Sequence, residues 1–181
     1  MAMKITFITG GARSGKSSFA LKTASALDGQ KAYLATAEAL DQEMKERIFK
    51  HKKERGVTWD THEVPIKIAD TLKGMTDRYD VVVLDCLTLW LSNLVCNNMD
   101  CDKEIDNFIE VLKNISAIRP CSKLFIVSNE VGMGIVPENE LARRFRDFAG
   151  ILNQKAAEIA DEVYLVTAGI PMKIKGQINS F

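Results

Sequence analysis

The chain has 181 residues, 46% apolar and 27% charged, and 24 basic side chains balance 24 acidic ones to a formal net charge of zero. That size and balance suit one soluble globular domain, expected to span 1–181, and zero net charge offers no electrostatic case for nucleic acid or an anionic membrane surface. No stretch approaches the ~20 apolar residues of a membrane span and the N-terminus leads straight into a strand, so no span or signal peptide is expected and a cytoplasmic setting is.

The first element is a short β-branched strand, Lys4–Thr9. Gly10-Gly11-Ala12-Arg13-Ser14-Gly15-Lys16-Ser17 follows and fits G-x-x-x-x-G-K-[ST], and Ser18–Ala24 continues as a helix-compatible run. Strand, glycine-rich turn and helix in this order are the context a phosphate-binding loop requires. The glycines let successive N–H groups turn toward phosphate oxygens, and the helix N-terminus adds a favourable dipole. Lys16 is expected to reach the β- and γ-phosphates, and Ser17 to offer its hydroxyl to Mg²⁺.

Further along, Lys31–Ala35, Val81–Asp85, Leu124–Ser128 and Glu162–Val166 are near-continuous apolar runs, as expected for strands covered on both faces. Helical patterns alternate with them. Ile105, Phe108, Ile109, Leu112 and Ile115 recur at helical spacing. So do Leu141, Phe145, Phe148, Leu152, Ala156 and Ile159, in a long helix expected to open at Pro137. Both stripes read as core-facing. The alternation predicts an α/β, P-loop NTPase-like three-layer fold with a mainly parallel central sheet. The segment Trp59–Pro65 reads as a connection, and its His62 as structural or solvated.

Asp85 ends its strand at the edge where open α/β sheets place ligands, so it is a candidate second Mg²⁺ contact beside Ser17; a capping aspartate for the next helix is the plainer alternative. The four cysteines, Cys86, Cys96, Cys101 and Cys121, form no paired C-x-x-C framework, and neither histidine is near them, so free thiols are expected rather than a metal site.

The helix Asp41–Arg55 places Met44, Arg47, Ile48, His51 and Arg55 on one face, with Arg47, Lys50, Lys52, Lys53 and Arg55 around a single imidazole. A solvated basic face would explain that in isolation. Next to a phosphate loop, however, surrounding positive charge favours neutral, nucleophilic imidazole, which makes His51 a candidate for attack on phosphorus. The loop Ser128–Asn139 leaves the sheet on the same side. Gly132 and Gly134, among bulky neighbours, predict unusual backbone angles or a close approach there.

Together these residues resemble the bifunctional adenosylcobinamide kinase/adenosylcobinamide-phosphate guanylyltransferases of cobalamin biosynthesis. The carriers are the string Thr9–Ser17, Tyr33-Leu34-Ala35-Thr36-Ala37, Arg47-Ile48 with His51 and Arg55, and Trp59 with Glu63. Asn129–Asn139, Arg146-Asp147, Ala149-Gly150 and Asn153-Gln154 complete the likeness. The resemblance implies that His51 carries a covalent guanylyl group. It also implies that Gly10, Gly11, Ala12, Arg13, Ser14, Gly15, Lys16, Ser17, Ala35, Thr36, Ala37, Lys52, Lys53, Glu54, Arg55, Glu63 and Asp85 line the nucleotide site. It implies ATP or GTP with Mg²⁺ for phosphorylation of adenosylcobinamide, then GTP for the guanylyl step, in a trimer. A simple small-molecule kinase and a non-catalytic nucleotide switch remain as alternatives on the residues alone, although no Asn-Lys-x-Asp guanine signature favours the switch. The tail Ile174–Phe181 carries no assignment.

Overall fold

Apolar runs flanked by turn residues become strands, and the amphipathic segments between them become the helices that cover the sheet. The computed structural model describes residues 3–39, 41–75, 78–118 and 123–177; the side chains of Glu43, Arg47, Lys50, His51, Glu54, Val57 and of 116–118 lie outside that description. In chain order the elements are β1 (Lys4–Thr9), α1 (Lys16–Ser25), β2 (Lys31–Ala35), α2 (Gln42–Arg55), β3 (Trp59–Glu63), α3 (Ile68–Met75) and β4 (Val81–Asp85). They continue with α4 (Leu87–Cys96), α5 (Cys101–Ile118), β5 (Lys123–Val127), α6 (Glu140–Ile159), β6 (Glu162–Thr167) and β7 (Ile170–Lys175).

The strands form one sheet in the order β3-β2-β4-β5-β1-β6-β7, parallel throughout except for the antiparallel β6–β7 pair. Side chains alternate between its two faces. Ile5, Phe7, Leu34, Val82, Leu84, Leu124 and Ile126 join the core packed by α3, α4, α5 and α6. Ile8, Tyr33, Val83, Phe125, Val127 and Val166 face the other way and pack on Ala20 and Ala24 of α1. The α5 stripe is buried in full. In α6, Ala149, Leu152 and Ala156 are buried, but Leu141, in the first turn, is exposed, and the helix begins later than expected. Asn139, not Pro137, sets its start: the Asn139 side chain accepts the Ala142 N–H at 3.0 Å, satisfying a first-turn donor.

Two edge strands, β3 and β7, and the helix α3 went unread in the sequence. Trp59–Glu63 is β3, in register with β2 from Lys31↔Trp59 to Ala35↔Glu63. Its alternate residues are solvent-exposed, so it lacks the apolar run that marked the other parallel strands. His62 sits within it, 3.2 Å from the Tyr79 hydroxyl, which donates to Asp60 at 2.9 Å; its role is structural. Part of the unassigned tail belongs to β7, turned back on β6 through Ala168 and Gly169, both with positive φ. Lys175 of β7 donates to the Ala157 and Glu158 carbonyls at the C-terminal end of α6.

Candidate active site

Parallel register levels the C-terminal ends of β1, β2, β4 and β5, and the loops leaving those ends build the site. Ala35 pairs with Asp85, and Asp85 with Val127. The phosphate loop follows β1. Gly10 takes φ +151°, and a side chain there would meet the Val166 carbonyl at 2.2 Å, so only glycine lets the loop lie this close to β6. Gly15, at φ +97°, turns the chain into α1. The loop is braced from two sides: Gly169 N–H donates to the Ser14 carbonyl at 2.9 Å, and Glu130 N–H to the Gly10 carbonyl at 2.9 Å. Lys16 is buried and its ammonium donates to the Gly11 carbonyl at 2.6 Å, which keeps the charge over the loop.

A cavity of about 570 Å³ opens along this edge, within the range of small-molecule sites. Arg13, Ser14, Gly15, Lys16 and Ser17 line one side, Asp85 the floor beside Ala35 and Ala37, and Met44, Ile48 and Arg55 of α2 the far wall. Those three α2 residues all belong to the helical row identified from spacing. His51 lies on α2 one turn before Arg55, but its side chain, like those of Arg47, Lys50 and Glu54, is outside the described set.

Several residues carried over by resemblance do not border this cavity. The Thr36 side chain is fully buried beneath the cavity and does not border it. Its hydroxyl donates to the Cys86 carbonyl and accepts the Cys86 N–H, each at 2.8 Å, so it is used up in tying the end of β2 to the end of β4. The Thr36 carbonyl in turn accepts Asn93 Nδ2 at 2.8 Å. Gly10 lies behind the loop, and Gly11 and Ala12 on its exposed crest, none of them bordering the cavity. Lys52 and Glu63 pair with each other on the surface, and Lys53 is solvent-exposed; they stand outside the cavity wall.

Three residues that the sequence left unassigned complete the site. Tyr33, on β2 and buried, donates its hydroxyl to Asp85 Oδ2 at 2.5 Å, while the Arg55 guanidinium lies 3.9 Å above its ring. Burial first, and the neighbouring Asp85 carboxylate second, push the Tyr33 phenol well above its ordinary acidity range, so it stays a donor. Cys86 lies beside Asp85, its thiol pushed up to about 12 chiefly by burial and therefore not a thiolate nucleophile. Asn129 borders the cavity at the start of the glycine loop. Its carbonyl accepts Asn153 Nδ2 at 3.1 Å, and its N–H donates to Thr88 Oγ1 at 2.6 Å. Ser128 donates to Asn153 Oδ1 at 2.6 Å, closing a network that fixes where the loop departs. A signal for Tyr33 existed: it is the one hydroxyl-bearing side chain of β2.

Beyond Asn129 the loop differs from expectation. Neither Gly132 nor Gly134 has a left-handed φ; a side chain at Gly134 would meet nothing, and one at Gly132 only the end of the Glu130 side chain. What distinguishes the segment is apolar exposure: Met133 is 81% and Ile135 96% exposed, with Val136 and Leu141 also open.

Residues 6–174 match the family model described as cobinamide kinase / cobinamide phosphate guanyltransferase. The chain belongs to this family. It is an enzyme, a cobinamide kinase and guanylyltransferase of cobalamin biosynthesis, and its activity depends on a nucleotide. It is 43% identical over 183 residues to the bifunctional adenosylcobalamin biosynthesis protein CobU of Salmonella typhimurium, covering 93% of this chain and 98% of that one. It is 41% identical over 170 residues to CobP of Pseudomonas aeruginosa, with 94% and 96% covered. Among solved structures it is similar to a type III secretion ATPase (TM-score 0.59, 12% identity, 92% of this chain and 51% of that one). It is also similar to the RadB recombinase (TM-score 0.54, 15% identity, 91% and 74%). Those two likenesses concern the fold: a mixed, mostly parallel sheet with flanking helices. Among the described residues no helix is long and apolar enough to cross a membrane.

Proposed function

We propose that one cavity in a single P-loop domain serves both of the family's transfers, phosphorylating adenosylcobinamide and then converting its phosphate to adenosylcobinamide-GDP through a GMP adduct on His51. The observation that carries this reading is the meeting of the phosphate loop, Asp85 and the Met44–Ile48–Arg55 row of α2 around one space. His51 occupies the helical position between Ile48 and Arg55 in that row.

In the first reaction the loop N–H groups and Lys16 hold the triphosphate of ATP or GTP while the corrinoid hydroxyl takes the γ-phosphoryl group. In the second, His51 attacks the α-phosphorus of GTP; a P–N bond forms as the P–O bond to pyrophosphate breaks. Adenosylcobinamide phosphate then takes the GMP, freeing the imidazole. Lys16 and Arg55 balance the charge of departing pyrophosphate. One carboxylate and one hydroxyl, Asp85 and Ser17, are hard oxygen donors at the cavity wall. They suit Mg²⁺, which takes few protein ligands and keeps its other positions for water and phosphate. When bound, the ion neutralises charge on the phosphate oxygens. The resemblance and the apolar loop around Ile135 support a homo-oligomer, a trimer, measurable by solution mass.

The deciding experiment is incubation with α-labelled GTP and Mg²⁺, then denaturation. The chain should retain acid-labile, base-stable label, and His51→Ala should lose both label and guanylyl transfer while staying folded. Parental labelling of His51→Ala would place the nucleophile elsewhere.

A further inference from the structure

Asp85 and Arg55 carry opposite charges, and both border the cavity, yet among the described ion pairs none joins them. Tyr33 stands between the two. Its hydroxyl holds one carboxylate oxygen of Asp85 at 2.5 Å, and its ring face carries the Arg55 guanidinium at 3.9 Å. Arg55 is only 7% exposed, its Nε has no hydrogen-bond partner among the described residues, and Tyr33 supports it through the ring face and through polar contact with the phenol oxygen. The ring itself cannot swing, because Trp59 packs edge-on against it at 6.2 Å and the surrounding strands bury it. A second, smaller space of about 270 Å³, on the α1 side, is walled by the same Tyr33 and Arg55 with Ser17, Ser18 and Leu21.

We infer that Tyr33 is the positioning residue of this site, setting the Asp85 carboxylate for Mg²⁺ with its hydroxyl and setting the last turn of α2, through Arg55, with its ring. The inference rests on reading Asp85 as the metal carboxylate and His51 as the guanylylated residue. By donating to Oδ2, the phenol fixes the carboxylate rotation and leaves Oδ1 for the metal. By lying between Asp85 and Arg55, it keeps the guanidinium from neutralising the carboxylate and keeps it available to phosphate. Groups that orient a metal ligand in this way change metal affinity by about 10–100-fold when removed.

The two roles separate in two variants of the full chain. Tyr33→Phe keeps the ring under Arg55 and loses the hydroxyl; Tyr33→Leu loses both. Binding of a GTP analogue with a methylene bridge between the α- and β-phosphates is followed by calorimetry across Mg²⁺ concentrations and in EDTA. Asp85→Asn serves as reference. Tyr33→Phe should raise the Mg²⁺ concentration for half-maximal binding about tenfold and leave affinity in EDTA unchanged. At saturating Mg²⁺, Tyr33→Leu, checked for folding by circular dichroism, should label with GMP at least about tenfold more slowly than Tyr33→Phe. Parental Mg²⁺ dependence in Tyr33→Phe, with a shifted Asp85→Asn, would overturn the positioning role alone. Parental dependence in Asp85→Asn would overturn the metal reading of Asp85 and this inference with it. An equal loss of affinity in EDTA would show that Tyr33 merely packs, and a Tyr33→Leu that fails to fold leaves Tyr33→Phe to decide.

Discussion

Thr36→Val tests whether the site is held together from beneath. Valine keeps the volume of threonine and removes the hydroxyl, so packing in this fully buried position is conserved while two hydrogen bonds disappear. The Cys86 N–H and C=O lose the partner that joined β4 to the segment after β2. A buried polar group left unsatisfied costs about 1–3 kcal/mol, so two groups that can relax somewhat should cost about 2–4 kcal/mol together. For a chain of this size that corresponds to a fall of about 4–16 °C in thermal midpoint at fixed protein concentration. Thr36→Ser is the control: it keeps both hydrogen bonds, loses one buried methyl, and should cost about 0.5–1.5 kcal/mol. Urea titrations of the three proteins, with slopes compared to check two-state behaviour, measure the difference. If Val costs no more than Ser, the hydroxyl is not the tie between the strands. Because Asp85 directly precedes Cys86, the Val protein should also bind nucleotide more weakly at limiting Mg²⁺.

Lys16→Ala should weaken GTP binding by about 1.5–3 kcal/mol, the range for a hydrogen bond to a charged group, and unchanged affinity by calorimetry would remove the loop from the site. Glu162, despite partial burial that opposes its charge, is held below the usual carboxylate range by hydrogen bonds from Lys4 at 2.7 Å and Lys173 at 3.0 Å. A depressed folded-state pKa adds stability above the unfolded value, about pH 4.3, that is lost as pH falls through the folded one. Glu162→Gln should therefore show a shallower loss of stability between about pH 5 and pH 3, and an acid limb identical to the parent's would refute the pairing. Gly134→Ala should change stability by less than about 0.5 kcal/mol, since the position has open space and no left-handed φ; a larger loss in urea would show a constraint the backbone does not display.

What could be read in advance divides along physical lines. The buried parallel strands declare themselves because both faces demand apolar residues, and the phosphate loop because Gly10 and Gly15 answer backbone requirements. Edge strands such as β3 carry no such demand and read as connections. The helical row of α2 was legible from spacing alone, and Met44, Ile48 and Arg55 do meet the cavity. Adjacency to Ala35 and Ala37 in sequence hides the alternation that turns the Thr36 side chain inward. Tyr33 escaped because its significance lies in a contact with Asp85 across two strands, and sequence distance conceals such pairs. Gly132 and Gly134 misled in the opposite sense, since glycine permits unusual angles without requiring them.

The brace behind the phosphate loop has a consequence for biosynthesis. Lys4 pairs with Lys123 and Thr6 with Glu162, and the loop rests on Glu130 and Gly169. The phosphate loop is thus framed by segments translated well after it, with long loop closures between them. A nascent chain stalled before β6 would display the full motif and hold no triphosphate. Acquisition of nucleotide binding should therefore report completion of the sheet, and GTP should protect from proteolysis only chains that extend past β7.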